Sequence, residues 1–406
     1  MKKLLVISTS LLSTAVMAAM PVNQPIGSSF TLSSAPNQRA LATSLNNPAA
    51  PFLMVNEQDN DSFRFGILGP LSISAEMGDV SDLDDQIEDL EDILDNGSGA
   101  TDQAKANAIL DEIGNTAYIK TSISLQIPLM PIIYKTKNSG AFMLDASISA
   151  IAKGSLLADE VDASLNTETS LYAQTATDLN IGFGYSQAIL KNSQGVLVGG
   201  VKANLHRISS ERALAKLDDS TDVDDAISDG LSDNSVSSTG IGLDLGAIWV
   251  AEHYQAGLTL ANINEPDFDS ATIVANTASN NYGIGSTDSY TMEMQATIDL
   301  AVALSNKQVM LGMTYDANSV EDAVGDEYQW AAVSLSYYGD SHFLPGIRAG
   351  FRQNLAGSEL SYVSGGVTLF KRLNLDLAVS LDTVEDDEGS SSPRSFYVSL
   401  GYDTAF

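Results

Sequence analysis

Histidine is scarce in this chain, and only one of the three stands where it could take part in chemistry. His206 falls on the polar side of an alternating stretch, together with Lys202 and Asn204, whereas His253 and His342 fall in turns. Imidazole catalysis needs a nucleophile or a carboxylate held beside the ring. Nothing in the sequence places a nucleophile beside His206 with any specificity, so the chain is not expected to be an enzyme. Cysteine is absent, which excludes disulfides, thiol redox chemistry and Cys-ligated metals. The run Asp218-Asp219-Ser220-Thr221-Asp222-Val223-Asp224-Asp225 offers oxygen ligands to a hard cation. It lacks the Gly and closing Glu of a calcium loop, so neither a defined metal site nor a cofactor is expected. A formal charge of −32 argues against a nucleic-acid partner, which would need a basic face.

A larger set of charges shares one phase. Arg64, Lys120, Lys202, Arg348 and Arg352, with Asp145, Asp244, Glu293, Asp299 and Asp376, all occupy polar positions of alternating segments. In a closed barrel that phase points into the lumen, where charges pair with one another or face water. His206 joins them as a lumen-wall residue.

The elements that must position these residues have a period of two, the signature of strands with one apolar and one polar face. Met292, Met294, Ala296, Ile298, Leu300, Val302 and Leu304 alternate with Glu293, Gln295, Thr297 and Asp299. Fourteen such segments are expected, at 62–76, 117–128, 139–152, 176–190, 195–209, 238–250, 254–263, 288–304, 308–317, 328–338, 345–355, 359–371, 373–383 and 394–406. Many exceed the ordinary length of a soluble strand. A mean hydropathy of +0.02 is what apolar-out, polar-in alternation averages to.

Connections alternate between short and long. Lys191–Gln194, Ala251–His253, Ser305–Lys307 and Lys371–Arg372 are short, whereas 77–116, 153–175, 210–237, 264–287 and 384–393 are long, and 77–116, 210–237 and 384–393 are strongly acidic. Two connections break the pattern, a long turn at 129–138 and a short loop at 356–358. Within 77–116, Val80, Leu83, Ile87, Leu90 and Leu94 follow helical spacing. Asn96-Gly97-Ser98-Gly99 interrupts it, and Ala104, Ala108, Ile109 and Ile113 resume it, which predicts an acidic helical hairpin. A shorter acidic helix is expected within 217–231.

The two ends carry addresses. Lys2, Lys3 and the apolar run to Val16-Met17-Ala18 read as a cleaved signal peptide over 1–18. At the other end, Phe396, Val398, Leu400, Tyr402 and Phe406 share one face of the last strand. A terminal Phe closing such a strand resembles the insertion signal of Gram-negative outer-membrane barrels. That resemblance implies the cell outer membrane as location, and outer-membrane lipid and the barrel-assembly machinery as partners.

Residues 19–61 lack periodicity and contain Asn47-Pro48-Ala49 just before the first strand. The triplet, in this position, resembles the N-terminal hatch of FadL-like barrels and of TraF-like conjugal-transfer proteins. The fold so implied is all-β: a closed antiparallel transmembrane β-barrel of about fourteen strands over 62–406, with 19–61 as an N-terminal plug. Fourteen strands enclose more space than wall side chains fill, so a plug is also expected on physical grounds. The plug's carbonyls would be held by inward Arg64, Arg348 and Arg352. Functionally, the resemblance implies a porin-like passive conduit for small hydrophobic molecules, or a TraF-like structural surface component without transport.

Overall fold

The computed structural model describes residues 25–55 and 62–404, apart from 82, 98, 138–139, 218–222, 305–307, 340 and 386–389. The signal segment 1–18, Phe406, the turn Ser305–Lys307 and most of the 218–225 acidic run lie outside the described residues.

The alternating segments fold into one closed antiparallel barrel of fourteen strands. They are β1 (Phe63–Met77), β2 (Tyr118–Gln126, continuing as Ile132–Thr136), β3 (Gly140–Leu157), β4 (Ser170–Asn192), β5 (Gly195–Lys216), β6 (Ser235–Val250) and β7 (Tyr254–Ala261). The second half comprises β8 (Gln295–Leu304), β9 (Val309–Asp316), β10 (Trp330–Tyr337), β11 (Gly346–Asn354), β12 (Ser361–Leu369), β13 (Leu373–Ser380) and β14 (Ser395–Asp403). Each strand pairs with its sequence neighbours, and β1 pairs with β14 to close the ring. No helix among the described residues is long and apolar enough to cross a membrane.

Phase decides which way each side chain points. Ile298, Leu300 and Val302 of β8, Leu377 of β13, and Phe396 and Val398 of β14 face outward and are 43–54 % exposed. Asp299, Asp376 and Ser399 between them are buried inside. Alternation at 292–304 holds only from Gln295 onward: Met292 packs under Ile208 and Phe268, and Glu293 lies exposed before the strand begins.

One side of the wall is far taller than the other. β4 and β5 have 23 and 22 residues, whereas β7 has eight. At about 3.3 Å per residue β4 spans roughly 75 Å, more than twice an ordinary hydrocarbon core. β4 and β5 extend beyond the expected segments 176–190 and 195–209, into a region where their outward side changes from Leu179, Ile181 and Phe183 to Leu171, Ala173, Ala213 and Ala215. There Ile227 and Leu231 of the helix Val223–Asp233 cover them.

The connections alternate between the two ends of the barrel, although 338–345 at the short-turn end is longer than 355–360 at the other, and two expected details change. The expected long turn at 129–138 is instead an interruption of β2, containing a cis Met130–Pro131 bond, followed by five more paired residues. β2 then ends at Thr136 and β3 begins at Gly140. The loop at 355–360 is short but leaves from the same end as 78–117, 158–169, 217–234, 262–294, 317–329 and 381–394. The acidic hairpin is present as two helices, Leu83–Asn96 and Ala100–Thr116. Its second helix buries Ala106, Leu110 and Ile113 rather than Ala104 and Ala108, which are exposed. That stripe packs on Leu90, Ile93 and Leu94 and on the 158–169 loop, so the hairpin covers its own apolar face.

Candidate functional site: the lumen

The lumen is filled from both ends, and the two fillings are built differently. From the short-turn end comes the N-terminal segment. Helix α1 (Ser28–Thr31) presents Phe30, which stacks on Tyr397 of β14 at 4.1 Å and meets Tyr362 edge-on at 5.6 Å. Arg352 donates to three carbonyls of this turn, Ser29 (3.0 Å), Phe30 (3.2 Å) and Leu32 (3.3 Å), while its guanidinium lies over Phe30 and Trp330. The planar fork of arginine suits several carbonyls converging from one turn. Arg64 donates to the carbonyls of Gln38 and Met54. Among the described residues Arg348 donates to no plug carbonyl. It forms a bidentate pair with Asp376 at 2.6 Å, and Asp376 in turn accepts the Ser28 hydroxyl at 3.0 Å.

The Asn47-Pro48-Ala49 triplet makes a tight turn in which Asn47 Oδ1 accepts the Ala49 amide at 2.8 Å. Asn47 Nδ2 donates to the Leu258 carbonyl of β7 at 3.2 Å, tying the turn to the wall. A Cβ at Gly200 of β5 would collide with the Pro48 carbonyl, and one at Gly246 of β6 would collide with Asn47 Oδ1. These two inward glycines are therefore the slot into which the triplet fits. Sequence reasoning missed them, though a glycine at a lumen phase of a long strand marks close backbone approach. Beyond the triplet, α2 (Pro51–Met54) and its neighbours pack Leu41, Ala49, Met54 and Val55 on Ile133, Met143, Val198 and Ile248.

From the opposite end comes the 317–329 loop. Val320–Glu321 pairs with Glu327–Tyr328, and Gly325 at φ +78° makes the hairpin turn. The tip crosses half the circumference from β9 and β10. Ala323 and Val324 pack on Ile151 of β3 and Ala176 of β4, and Gln174 donates to the Ala323 carbonyl at 2.7 Å. Asp326 there receives Lys120 at 2.7 Å and also Lys153. Lys120 further contacts Glu76 at 3.5 Å and the Tyr328 hydroxyl at 2.6 Å. Burial and the neighbouring Asp326 carboxylate push Asp322 at the tip up to about 7. The two lysines hold Asp326 below its usual value against its own burial.

Between the plug and the β2–β5 side of the wall lies a cavity of about 240 Å³. There Lys202 meets Asp145 at 3.2 Å and His206 Nδ1 meets Asp178 at 2.7 Å. His206 Nε2 makes no hydrogen bond among the described residues, so no hydroxyl nucleophile is poised against it. Phe268, carried by the 262–294 loop, lies edge-on over His206 at 6.3 Å. Asp244 accepts Asn204 Nδ2 at 2.7 Å. Asp299 is buried beside Gly257 with neither oxygen hydrogen-bonded among the described residues. No cluster of metal-ligating side chains occurs among the described residues.

The family model for the F plasmid transfer operon TraF protein matches residues 44–316. The chain belongs to this TraF family. The match runs from just before the plug triplet to the end of β9, and so takes in the slot and the wall side of the cavity but not Pro25, Ile26 and Ala42 on its plug side. No curated protein sequence matches the chain. Among solved structures, a TodX monoaromatic hydrocarbon channel mutant covers 96 % of this chain and 100 % of its own, with a TM-score of 0.51 at 11 % identity. The CymD monoaromatic hydrocarbon channel gives 0.48 at 14 % identity over 96 % of this chain and 99 % of its own. A Pseudomonas aeruginosa FadL homologue gives 0.46 at 11 % over 97 % and 99 %. The TodX likeness establishes a FadL-like fold for this TraF-family chain.

Proposed function

We propose that the chain is an outer-membrane barrel of the Gram-negative cell surface, exported through a cleaved signal peptide, with its long acidic loops outside and its lumen closed at rest. Its role is then a conjugal-transfer-related or structural one, with outer-membrane lipid and the barrel-assembly machinery as its partners. The observation that carries this reading is the double seal, an arginine-held plug at one end and a lysine-latched loop at the other. In planar bilayers the intact protein should be quiet, and deletion of residues 21–55 should give a conducting barrel. Open conductance from the intact protein would overturn the closed state. Protease added to intact cells should cut near Asn96–Gly99, where glycine exposes backbone. Cutting only after permeabilisation would invert the orientation.

A second reading, a passive conduit for small hydrophobic molecules, draws support from a weak place in the wall. Register slips between Gly66 and Leu71 of β1 lie beside the break in β2 at Met130–Pro131. The narrow cleft there is lined by Leu68, Pro70, Met130 and, from the plug, Leu41 and Ala42. The structurally similar TodX and CymD are monoaromatic hydrocarbon channels. Uptake of toluene into cells, compared with and without the gene, separates the two readings.

A further inference from the structure

The described strands turn their arginines inward, with one exception. Arg64, Arg212, Arg348 and Arg352 are buried, whereas Arg207 of β5 is exposed on the outer face of the barrel. Its guanidinium makes no hydrogen bond or ion pair among the described residues. Its partners in register are Leu179 of β4 and Thr239 of β6. Next below on the same face come Ile181, Leu205 and Ile241, all exposed as lipid-facing residues are.

Height places this arginine at the edge of the lipid band. From Ile189, exposed near the short-turn end, β4 runs to Leu179 over about 33 Å along its own axis. At a barrel tilt of about 40° that is about 25 Å across the membrane, the height of an outer-membrane apolar band. A basic side chain on the lipid face is costly at mid-depth but costs little at the interface. Above the row of Leu179, Arg207 and Thr239 the outward face turns polar. Ser209 and Ser237 follow, their hydroxyls 2.9 Å apart. Glu211, next on β5, is engaged by the Thr175 hydroxyl at 2.9 Å. Higher still the helix Val223–Asp233 packs on Ala213 and Ala215. Between that helix and the apolar band lies a shelf of hydroxyls with the guanidinium at its lower lip.

The chain carries a formal charge of −32, and Asp225, Asp229 and Asp233 of the helix are exposed above the shelf. Such a surface repels anionic headgroups, so a lone outward guanidinium at headgroup height marks where one can be accepted. We propose that the Arg207 shelf binds the phosphate of an acylated phosphoglycolipid of the outer leaflet, the class to which lipid A belongs. The guanidinium fork donates to the phosphate, the saccharide meets the hydroxyls of Ser237 and Thr239, and an acyl chain lies along Leu205 and Ile241. This assignment rests on the reading of the chain as an outer-membrane barrel with its long loops outside.

The test is native mass spectrometry of the full-length protein in detergent, titrated with bisphosphorylated lipid A and with its dephosphorylated form. The wild type should carry the phosphorylated lipid at least fivefold more than the dephosphorylated one. Arg207→Gln should abolish that preference, and Arg207→Lys should keep most of it. Lys216→Gln removes an exposed charge farther along the same strand and should change nothing. Inorganic phosphate at equal concentration should not displace the lipid. Heat-modifiable migration establishes that each variant is a folded barrel. The proposal is overturned by equal binding of the two lipids to the wild type, by an unchanged preference in folded Arg207→Gln, by an equal loss in Lys216→Gln, or by displacement with inorganic phosphate. Protease cutting at Asn96–Gly99 in intact cells tests the orientation separately: a failed lipid preference with that cutting intact removes this proposal alone, and cutting only after permeabilisation removes the reading beneath it.

Discussion

The plug and the 317–329 loop close the same lumen by different physics. The plug is held mainly by neutral acceptors: Arg352 and Arg64 donate to backbone carbonyls, and Phe30 is clasped by Tyr397, Tyr362 and Trp330. The loop is held mainly by charge, through Lys120 and Lys153 on Asp326, with a second carboxylate, Asp322, buried close by. Carbonyl and ring contacts do not titrate and carboxylate–ammonium contacts do, so the loop seal is expected to be the more pH-dependent of the two, even though a carboxylate reaches the plug as well, where Asp376 accepts the Ser28 hydroxyl.

The comparison breaks most sharply at Phe30 and Arg352. Phe30→Ala empties the aromatic clasp and should cost about 3–5 kcal/mol. Arg352→Leu strands up to three buried carbonyls at about 1–3 kcal/mol each. Both should raise bilayer conductance and lower the temperature of heat-modified migration while leaving the loop in place. A quiet, fully stable Arg352→Leu barrel would show that the plug does not depend on this residue. Next in size is Asp326→Asn, which leaves two lysines near the mouth without their shared partner. Breaking a buried pair costs about 3–5 kcal/mol, and less here because Lys153 and Asp326 are partly exposed. Protease should then cut within 320–328 while 25–55 stays protected.

Smaller still is the effect of pH. The folded-state pKa of Asp322 is raised, so its contribution to loop docking is complete below the ordinary carboxylate range and fades as pH rises through about 7. Asp326 is lowered, so its contribution is complete above the ordinary range and fades only in stronger acid. Docking is therefore firmest in mild acid. Hydrogen exchange of amides 322–326, corrected for intrinsic rates, should speed up between pH 6 and pH 8.5, with no matching change at 28–32. Equal responses at both ends would erase the distinction between the two seals.

The strands were legible in the sequence wherever lipid faces one side and the lumen the other. All fourteen segments correspond to strands, because Ile298-Asp299-Leu300 or Phe396-Tyr397-Val398 can satisfy both environments in only one phase. Legibility failed where the outer environment changed. Leu171 and Ala173 face a helix rather than lipid, and nothing in their own alternation marks this. The seals were half legible. Asn47-Pro48-Ala49 announces a turn, but its slot at Gly200 and Gly246 depends on register between distant strands. The carboxylate beside His206 is Asp178, 28 residues earlier, and pairing of β4 with β5 is needed to bring them together. The latch was hidden because Asp326 lies in a short loop whose course across the mouth no local pattern encodes.

The stack of Phe30 on Tyr397 joins nearly the first described turn of the chain to its last strand, and the Tyr397 hydroxyl also reaches the carbonyls of Pro25 and Gly27. A chain made from its N-terminus has the plug long before it has β14. Until β14 arrives the wall is an open sheet with free edges at β1 and β13, and the aromatic clasp lacks its floor. The segment must already lie in the concavity when the seam forms, since Arg352, Arg64 and the glycine slot surround it on separate sides. The plug thus acts as a gauge of circumference: it can be gripped by β5, β11 and β14 together only in a ring of the right size. A seam formed without it would leave Tyr397 facing empty space, and that gives a nascent barrel a physical means of distinguishing finished from unfinished closure.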